Sequence, residues 1–280
     1  MQLNVFTADR KGPVLALLGG VHGNEVCGPK ALTELVAELN SGKIKLLAGT
    51  LIVIPVCHEE AFAAGKRQIE ENLNRVFCLH ENPKTLEQRL ANQIIPLIEK
   101  ADYVLDIHSF HQPGQAVIFQ DYPTKECSAL TSVLPAQYKI VGWPDLYDAA
   151  EDGYSTERFA HEHHMVGATF EAGFHEDPQS VSVAKQAALN VLRLLHMIEG
   201  EVVREGSVQT IQMTDVIYKQ KEGHFVRPMS NIELFRKGEP VVLLDDGGQI
   251  VMPDDGMVLL ANEKAQINAE WFYVGHLKNR

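Results

Sequence analysis

The chain has 280 residues, of which 45% are hydrophobic and 22% charged, and its formal net charge is −12. This composition excludes a disordered or fibrous protein and is typical of a globular enzyme with one large core, or with a larger and a smaller domain. No apolar run is long enough to cross a bilayer, and a negative net charge without a cluster of Lys and Arg argues against nucleic-acid binding. Particular arginines would have to receive an anionic substrate.

The first residues and the cysteines indicate the cellular location. MQLNVFTADRKGP lacks the basic segment, apolar core and cleavage site of an export signal. The four cysteines form no C-x-x-C pair, and a chain of this length can build its core without disulfides. We therefore expect a cytoplasmic protein with free, mostly buried thiols that binds neither membranes nor nucleic acid.

Short apolar runs alternate with helical patterns before Gly200. The runs are too uniformly apolar for a sheet with one solvated face, and the helical patterns have one apolar stripe each. This alternation predicts an α/β fold, with a mixed, largely parallel open sheet and helices on both faces. The predicted strands lie at 13–20, 50–56, 102–108, 115–120, 138–143 and 167–173, and the predicted helices at 31–42, 85–100 and 182–200.

The pattern changes after Gly200 to short β-like segments separated by Glu-Gly, Asp-Gly and Gly-Gly turns. We therefore predict two domains, a catalytic domain at 1–200 and a small β-rich domain at 201–280. The histidine-rich segment at 161–164 is expected to be an exposed helix face.

His22 and Glu25 stand three residues apart in GGVHGNE, directly after the first predicted strand. Ligand sites of open α/β sheets usually lie at such strand ends, and imidazole with carboxylate suits zinc. A chain with 12 histidines also contains an H-x-x-E by chance. The pair therefore needs a third ligand before it indicates a metal site.

His108 supplies a candidate third ligand at the end of VLDIH, another predicted buried strand. Two His and one Glu with an open position form a known catalytic zinc set. Asp106 lies on the same strand face as His108 and can orient its imidazole. His111 is a competing ligand, which we rank lower because it lies beyond the strand end.

Two further segments carry charged groups that chemistry can use. Arg67, Asn74 and Arg75 combine two guanidinium groups and an amide, which suit a carboxylate, although Glu70 and Glu71 could instead pair with the arginines on a solvated helix. The other segment is TFEAG, where Glu171 interrupts an apolar strand. A buried carboxylate requires a partner or a task, and either a structural ion pair or a general base would provide one.

The motifs GGVHGNE, GKRQIEENLNRVF, DIHS and FEAG, in this order, resemble the succinylglutamate desuccinylase and aspartoacylase family, relatives of the zinc carboxypeptidases. The resemblance spans the predicted catalytic domain, and the order of the four motifs is more specific than any one of them. A small β-rich C-terminal domain is also typical of the family.

The resemblance implies one zinc ion per chain, bound by His22, Glu25 and His108. It implies that Glu171 is the general base that activates the zinc-bound water and that Arg67 polarises the scissile carbonyl. It also implies a carboxylate clamp formed by Asn74 and Arg75.

Tyr154 and Arg158, in YSTER, resemble a Tyr and an Arg that aspartoacylases use near the substrate side chain, so Arg158 would contact a second carboxylate. Two positions depart from the family pattern. Asn72 stands where the family often has Asp, and Tyr273 is only a candidate for the tyrosine that aspartoacylase supplies from its C-terminal domain.

The expected function is therefore zinc-dependent hydrolysis of the amide bond of a small, anionic N-acyl amino acid. A zinc carboxypeptidase acting on short peptides is the alternative within the same chemistry. A non-catalytic relative that binds zinc or a ligand is the alternative from another class. The acyl group, the amino acid and the oligomeric state have no readable pattern.

Overall fold

A computed structural model of the chain describes residues 1–147, 153–203 and 206–278. Its strands, numbered β1 to β14 in chain order, are Asn4–Thr7, Val14–Gly19, Thr50–Ile54, Tyr103–Phe110, Val117–Phe119, Tyr138–Val141, Val166–Phe174, Gln209–Tyr218, Gly223–Phe225, Ile232–Phe235, Pro240–Leu244, Gln249–Val251, Gly256–Leu259 and Glu270–Leu277. Its helices, α1 to α6, are Cys27–Asn40, Glu59–Ala64, Leu86–Ile98, Lys125–Thr131, Thr156–Glu162 and Pro178–Leu194.

Eleven strands form one sheet, in the order β1-β3-β2-β4-β7-β5-β6-β8-β14-β13-β10, and β12-β11-β9 form a smaller sheet. The six strands predicted before residue 200 correspond to β2 through β7, and the three predicted helices to α1, α3 and α6. The sequence patterns missed β1, whose residues alternate between half-buried and exposed at the edge of the sheet, and the short helices α2, α4 and α5.

The large sheet is mixed, so the prediction of a largely parallel sheet is only partly right. Parallel pairing joins β3, β2, β4 and β7, and also β5 with β6 and β6 with β8. The other pairings, including β1 with β3 and β5 with β7, are antiparallel. The physical reason is the length of the connections. Consecutive strands run in the same direction only when a crossover of a dozen or more residues joins them, and the link from β4 to β5 is much shorter, so β5 runs in the opposite direction.

Helices cover both faces of the central strands, as the uniformly apolar strands predict. In β2, Leu15 and Leu17 belong to the core beneath α1 and α6, whereas Ala16 and Leu18 belong to the core beneath α3 and α5. Successive residues of a strand point to opposite faces, and helices cover both faces here. All four side chains are therefore fully buried.

The region after residue 200 is β-rich, and most of its strands extend the large sheet. Strand β8 pairs with β6 in parallel, and β14, β13 and β10 follow in antiparallel order. These strands are therefore fixed relative to the central strands by continuous backbone hydrogen bonding. The division of the chain into domains at 1–200 and 201–280 stays a prediction.

No helix in the described ranges is long and apolar enough to cross a membrane. Cytoplasmic location stays a prediction. All four cysteines are free, and Cys27, Cys57 and Cys127 are buried, as expected. The segment 161–164 is exposed at the end of α5, as expected for a solvated helix face.

The parallel pairing of β2 with β4 brings the predicted metal ligands together. His22 and Glu25 lie in the loop between β2 and α1, and His108 lies near the carboxyl end of β4. Because neighbouring parallel strands end at the same edge of a sheet, these side chains meet there. Helix α1 begins at Cys27 rather than at the predicted Ala31, so this loop is short.

Close backbone contacts of Gly23 hold this loop in place. Its N–H donates to the carbonyl of Arg67 at 3.1 Å, and its Cα lies against the backbone of α2. A Cβ at this position would lie 2.2 Å from Ala61 C and Phe62 N, closer than any real packing contact. Only glycine therefore fits between the two metal-ligand candidates.

We predict that Gly23→Ala destabilises the protein by about 2 kcal/mol or more, because the added methyl group forces the loop away from α2. Thermal unfolding measures the effect. Gly248→Ala is the matched control, since the nearest atom to its added Cβ is Asp246 Oδ1 at 3.1 Å, at the end of a flexible side chain. An equal loss of stability in the two variants would contradict the prediction.

Candidate active site

A cavity of about 440 Å³ opens at the carboxyl edge of the sheet beside the loop that contains His22. Its walls come from the central strands, from the segment between α2 and α3, and from the C-terminal strands. Of the predicted site residues, it brings together His22, Glu25, Arg67, Asn74, Arg75, His108 and Glu171.

Three ligand atoms converge at the bottom of this cavity. His22 Nδ1 lies 2.8 Å from Glu25 Oε1 and 3.1 Å from His108 Nδ1, and His108 Nδ1 lies 2.8 Å from Glu25 Oε2. The three side chains are buried and form a group that could hold a metal ion. No other such group is found within the described residues.

The hydrogen bond at the outer ring nitrogen of each imidazole determines its tautomer. His22 Nε2 lies 2.9 Å from Asn72 Oδ1, and His108 Nε2 lies 2.7 Å from Asp106 Oδ2. Both partners accept hydrogen bonds, so we assign the ring N–H to Nε2 in each histidine. Each Nδ1 then presents a lone pair toward the other and toward the Glu25 carboxylate.

Three mutually close acceptors repel one another unless a positive charge stands between them. Burial alone lowers the pKa of His108, but the Asp106 and Glu25 carboxylates outweigh it and raise that pKa well above its usual range. Burial and the charge of Arg67 lower the pKa of His22 to about 4, so its imidazole is neutral near pH 7. The donor set therefore fits a divalent cation with a preference for nitrogen and oxygen ligands, such as zinc.

Of the two histidines that could supply the third ligand, His108 is in the group and His111 is not. His111 lines the cavity nearby, and burial together with the charges of Arg67 and Lys264 lowers its pKa. It is therefore a neutral wall residue at neutral pH.

Arg67, Asn74 and Arg75 reach the same cavity from the segment between α2 and α3. Arg67 Nη1 donates to Glu25 Oε1 at 2.9 Å, so its guanidinium lies directly beside the ligand group. Asn74 Oδ1 accepts from the backbone N–H of Thr156, which attaches this segment to the first turn of α5.

Arg75 has the features of an anion receptor. Its guanidinium lies 5.1 Å from the centre of the Trp143 ring and donates to the Asn74 carbonyl. It forms no ion pair with a carboxylate in the part of the chain that the structure describes. Burial, and to a smaller degree the charge of Arg67, lowers the pKa of Arg75. A carboxylate in the cavity would relieve this penalty.

Glu171 lies beside the ligand group because β7 pairs with β4, with Glu171 opposite His108. Its Oε2 is buried and has no hydrogen-bond partner among the described residues. Burial and the Glu25 charge raise the pKa of Glu171 to about 8. A cation in the ligand group would oppose this shift, leaving an ionised carboxylate that faces the cavity.

Tyr154 and Arg158 are not brought into the cavity. The Arg158 guanidinium lies over the Tyr154 ring at 4.4 Å and pairs with Glu162 at 2.9 Å along α5. Their predicted role near the substrate side chain has no support from this geometry. Glu157, the neighbour of Arg158, lines the cavity instead.

Sequence reasoning missed several contacts that shape the site. Asn72 Oδ1 accepts from the N–H of Asn74 as well as from His22, so the amide at this departure from the family pattern links the ligand group to the segment that carries Asn74 and Arg75. Thr156 Oγ1 donates to Asp106 Oδ2 at 2.6 Å. No local pattern indicates the contact of Asn72 with His22 or that of Thr156 with Asp106, because each joins elements distant in sequence.

Tyr273 reaches the cavity from β14 and is the candidate that the sequence offered for the family's C-terminal tyrosine. Its hydroxyl lies 2.6 Å from that of Tyr147, which donates to Glu270 Oε1. The single proton of Tyr147 is thus used, so Tyr273 donates to Tyr147.

Glu87 holds the segment that carries Arg67. This side chain on α3 is fully buried, and its Oε1 accepts from His58 Nε2 and from the backbone N–H groups of Ile69 and Glu70 at 2.9 to 3.0 Å. Burial by itself raises the pKa of Glu87, but these hydrogen bonds outweigh it and lower the pKa to about 2. The charged carboxylate therefore contributes to the stability of the segment.

Fold and site together are those of a mixed α/β protein with a buried His, Glu and His group at the carboxyl edge of its sheet. The profile of the succinylglutamate desuccinylase/aspartoacylase catalytic domain matches residues 11–198. The chain therefore belongs to the succinylglutamate desuccinylase/aspartoacylase family, as its four motifs predicted.

Similarity to individual relatives is partial. Succinylglutamate desuccinylase of Pseudomonas paraeruginosa is 29% identical over 134 residues, which are 45% of this chain and 40% of that protein. N-alpha-acetyl-L-2,4-diaminobutyric acid deacetylase of Halomonas elongata is 32% identical over 102 residues, or 35% of this chain and 29% of that protein. The chain thus matches less than half the length of these relatives.

Solved structures share the fold over nearly the whole chain. A succinylglutamate desuccinylase/aspartoacylase from Rhodobacter sphaeroides superposes with a TM-score of 0.81 at 19% identity, covering 99% of this chain and 89% of that one. The product-bound ectoine utilization protein EutE (DoeB) from Ruegeria pomeroyi gives 0.79 at 24% identity, covering 98% and 88%. At these identities the likeness establishes the fold alone.

We predict that Glu87→Gln lowers the free energy of unfolding by about 2 kcal/mol at neutral pH, because three hydrogen bonds lose their charged acceptor. The pKa of Glu87 falls from an ordinary 4.5 in the unfolded chain to about 2 in the folded one. The stabilisation is therefore complete above about pH 4.5 and is lost as the pH falls toward 2.

Denaturant unfolding between pH 7 and pH 3 measures this contribution. The difference between wild type and Glu87→Gln should shrink as the pH falls. Glu81→Gln, at an exposed position of the same charge, is the control and should show little difference at any pH. A difference that grows on acidification would show that Glu87 is not stabilised as its ionised form.

Proposed function

We propose that the protein is a zinc-dependent deacylase that hydrolyses the amide bond of a small N-acyl amino acid, as expected from the motifs. The observation that carries this proposal is the arrangement of His22, Glu25 and His108, whose ligand atoms converge beside Glu171. The names of the relatives support the substrate class, since they include a succinylglutamate desuccinylase and a diaminobutyric acid deacetylase.

His22 Nδ1, a Glu25 carboxylate oxygen and His108 Nδ1 would hold the ion, one per chain. Zinc bound there supplies a Lewis acid that polarises a carbonyl and lowers the pKa of water. Asn72 and Asp106 keep the two imidazoles in the tautomer that this requires.

The substrate is oriented by charges on the wall of the cavity. Arg75 receives the α-carboxylate of the amino acid, since its guanidinium is buried against Trp143 and has no carboxylate partner among the described residues. Asn74 lies beside it. Arg67, held against Glu25, stands where it can donate to the carbonyl oxygen of the scissile amide and stabilise the negative charge that develops there.

Glu171 moves the proton. Glu171 lines the cavity beside the ligand group, so its carboxylate can accept a proton from the attacking water and return it to the leaving amine.

The same residues would also serve a carboxypeptidase, since the C-terminal carboxylate of a peptide would occupy the place of the α-carboxylate at Arg75. A hydrolysis screen therefore includes N-acetyl, N-succinyl and peptidyl derivatives of the same amino acids. Turnover confined to peptides would replace the deacylase proposal. Absence of turnover with every compound, in protein that contains zinc, would favour a non-catalytic relative.

We predict about one zinc ion per purified chain and loss of hydrolysis on chelation, with recovery when zinc is added back. Metal analysis and the screen measure both. His108→Ala should lose the metal, because two ligands hold zinc far more weakly than three. His224→Ala, at an exposed position on β9, is the control and should retain it. Full activity in chelated, metal-free protein would overturn the zinc proposal.

We also predict that Glu171→Gln lowers kcat by roughly 10²- to 10⁴-fold, because the amide cannot accept the proton of the attacking water. Zinc content should stay at the wild-type level, since Glu171 is not in the ligand group. Steady-state kinetics and metal analysis check both expectations, with Glu126→Gln, exposed on α4, as control. A kcat near that of wild type would remove Glu171 from the mechanism.

A further inference from the structure

Two acidic side chains on the cavity wall have no part in the proposed chemistry. Asp121, which follows β5, is partly exposed and lines the cavity, so a ligand there can reach it. Glu157, in the first turn of α5, also lines the cavity and is buried. The N–H of Asp121 donates to Glu157 Oε1 at 2.8 Å, so the two residues lie side by side.

Backbone hydrogen bonds fix the Asp121 carboxylate beside the proposed receptor for the α-carboxylate. Asp121 Oδ1 accepts from the N–H of Gly142 at 2.7 Å and from that of Trp143 at 3.0 Å. The ring of the same Trp143 lies 5.1 Å from the Arg75 guanidinium. Trp143 therefore contacts both the Asp121 carboxylate and Arg75.

Glu157 is attached to the same end of the cavity by a second route. The residue before it, Thr156, donates its backbone N–H to Asn74 Oδ1 at 2.9 Å. Asn74 precedes Arg75 in the segment between α2 and α3. Both acidic residues are thus next to the proposed site of the α-carboxylate, through contacts that involve different elements.

The strand register gives the direction from the ligand group to these acidic residues. In the antiparallel pair of β7 and β5, Glu171 lies opposite Val117 and Thr169 opposite Phe119, so β5 runs away from Glu171 toward Asp121. Thr169 and Phe119 both line the cavity. An amino acid whose amide bond lies at the ligand group can therefore extend its side chain along this wall.

The charges at this end of the cavity select the side chain of the substrate. Among the described lining residues, Arg67 and Arg75 are the only Lys or Arg, and the proposed function uses both. Neither Lys139 on β6 nor Arg158 on α5 lines the cavity. A carboxylate on the substrate side chain would meet two acidic side chains without a further cation, which is unfavourable away from bulk water. An ammonium group would be attracted.

Aromatic rings beside the acidic residues suit the stem of such a side chain. The rings of Phe119 and Trp143 both line the cavity and meet edge to face, with their centres 6.1 Å apart. Methylene groups pack well on aromatic rings, and an ammonium group is also attracted to their faces. A carboxylate next to an aromatic wall therefore suits an amine on an aliphatic chain.

We propose that the amino-acid portion of the substrate carries a primary amine on its side chain, and that Asp121 binds the ammonium group with the added charge of Glu157. Such a substrate is an N-acyl derivative of a basic amino acid, whose α-carboxylate lies on Arg75. This inference rests on the proposed function and deepens it, because it specifies the side chain.

A matched set of substrates tests the charge. Ornithine, glutamine and glutamate share a five-carbon chain and end in an ammonium, a carboxamide and a carboxylate. Their derivatives carry the acyl group that is hydrolysed fastest in the screen. We expect kcat/KM to be at least about tenfold higher for the ornithine than for the glutamine derivative, the effect of one charge-assisted hydrogen bond. The glutamate derivative should be slowest.

Two further pairs cover other chain lengths. Derivatives of 2,4-diaminobutyrate and asparagine make the same comparison with a shorter chain, and those of lysine and norleucine make it with a longer one. Equal or faster hydrolysis of the uncharged compound in all three pairs would overturn the proposal.

Two variants test the residues. Asp121→Asn removes the charge and keeps an oxygen for the N–H groups of Gly142 and Trp143, so kcat/KM for the ornithine derivative should fall at least about tenfold and that for glutamine should change little. Glu157→Gln should act in the same direction by a smaller factor. Asp215→Asn, exposed on β8 and outside the cavity wall, is the control. A full ornithine preference in both variants would overturn the assignment.

The same variants separate binding from a structural role. If Asp121 served only to hold the backbone at Gly142, Asp121→Asn would lower the unfolding temperature and slow the ornithine, glutamine and glutamate derivatives equally. That result would overturn its role in binding. If Asp121→Asn does not fold, Glu157→Gln and the order of the three substrates in the wild type still decide.

The proposed function can fail independently of this inference. If no N-acyl amino acid is hydrolysed, calorimetric titration of the zinc-loaded protein with free ornithine and free glutamine replaces the kinetic ratio. Tighter binding of ornithine that disappears in Asp121→Asn would support the inference even then, and equal binding would overturn it. Hydrolysis without any preference for an ammonium side chain would overturn the inference and leave the deacylase proposal standing.

Discussion

Three hydrogen-bond acceptors held within 3.1 Å of one another are the constraint on which the site depends. His22 Nδ1, His108 Nδ1 and the Glu25 carboxylate repel each other when both imidazoles are neutral, and the fold supplies the force that keeps them together. That force comes from the parallel pairing of β2 with β4 and from the close contact of Gly23 with α2. The free energy spent on this arrangement is recovered only when a positive charge enters the group.

The outer partners of the two imidazoles are unequal. Asp106 offers His108 a carboxylate, which is itself bonded by Thr156 from α5, whereas Asn72 offers His22 a neutral amide. A carboxylate makes an imidazole a stronger donor of electrons than an amide does. The ligand group is therefore electronically asymmetric, with the more basic nitrogen on the side of β4 and Glu171.

The sequence predicted those parts of the site that depend on strand ends. His22, Glu25 and His108 follow or end apolar runs, and parallel strands place such ends at one edge, so their meeting could be expected. Glu171 was predicted because a carboxylate inside an apolar strand needs a reason. The orientation of Arg158 could not be predicted, since the spacing of a helix does not say toward which neighbour a long side chain turns.

The contacts that no pattern predicted join elements far apart in the chain. Asn72 was noticed as a departure from the family pattern, but its bond to His22 exists only because the segment after α2 folds across the loop after β2. Glu87 lies in an amphipathic helix where a Glu usually faces solvent, and only tertiary structure shows that it caps the segment of Arg67. The mixed strand order of the sheet could not be predicted for the same reason, because many of the strands that pair lie far apart in the chain.

The C-terminal strands complete the cavity without touching the ligand group. Leu260, Asn262 and Tyr273 line it, whereas every proposed ligand and the proposed base come from strands and loops before residue 200. Since β8 continues the sheet from β6, these wall residues are fixed relative to the ligand group by hydrogen-bonded strands rather than by a mobile linker. Changes in the C-terminal region can thus alter which ligands fit the cavity, while His22, Glu25, His108 and Glu171 are left in place.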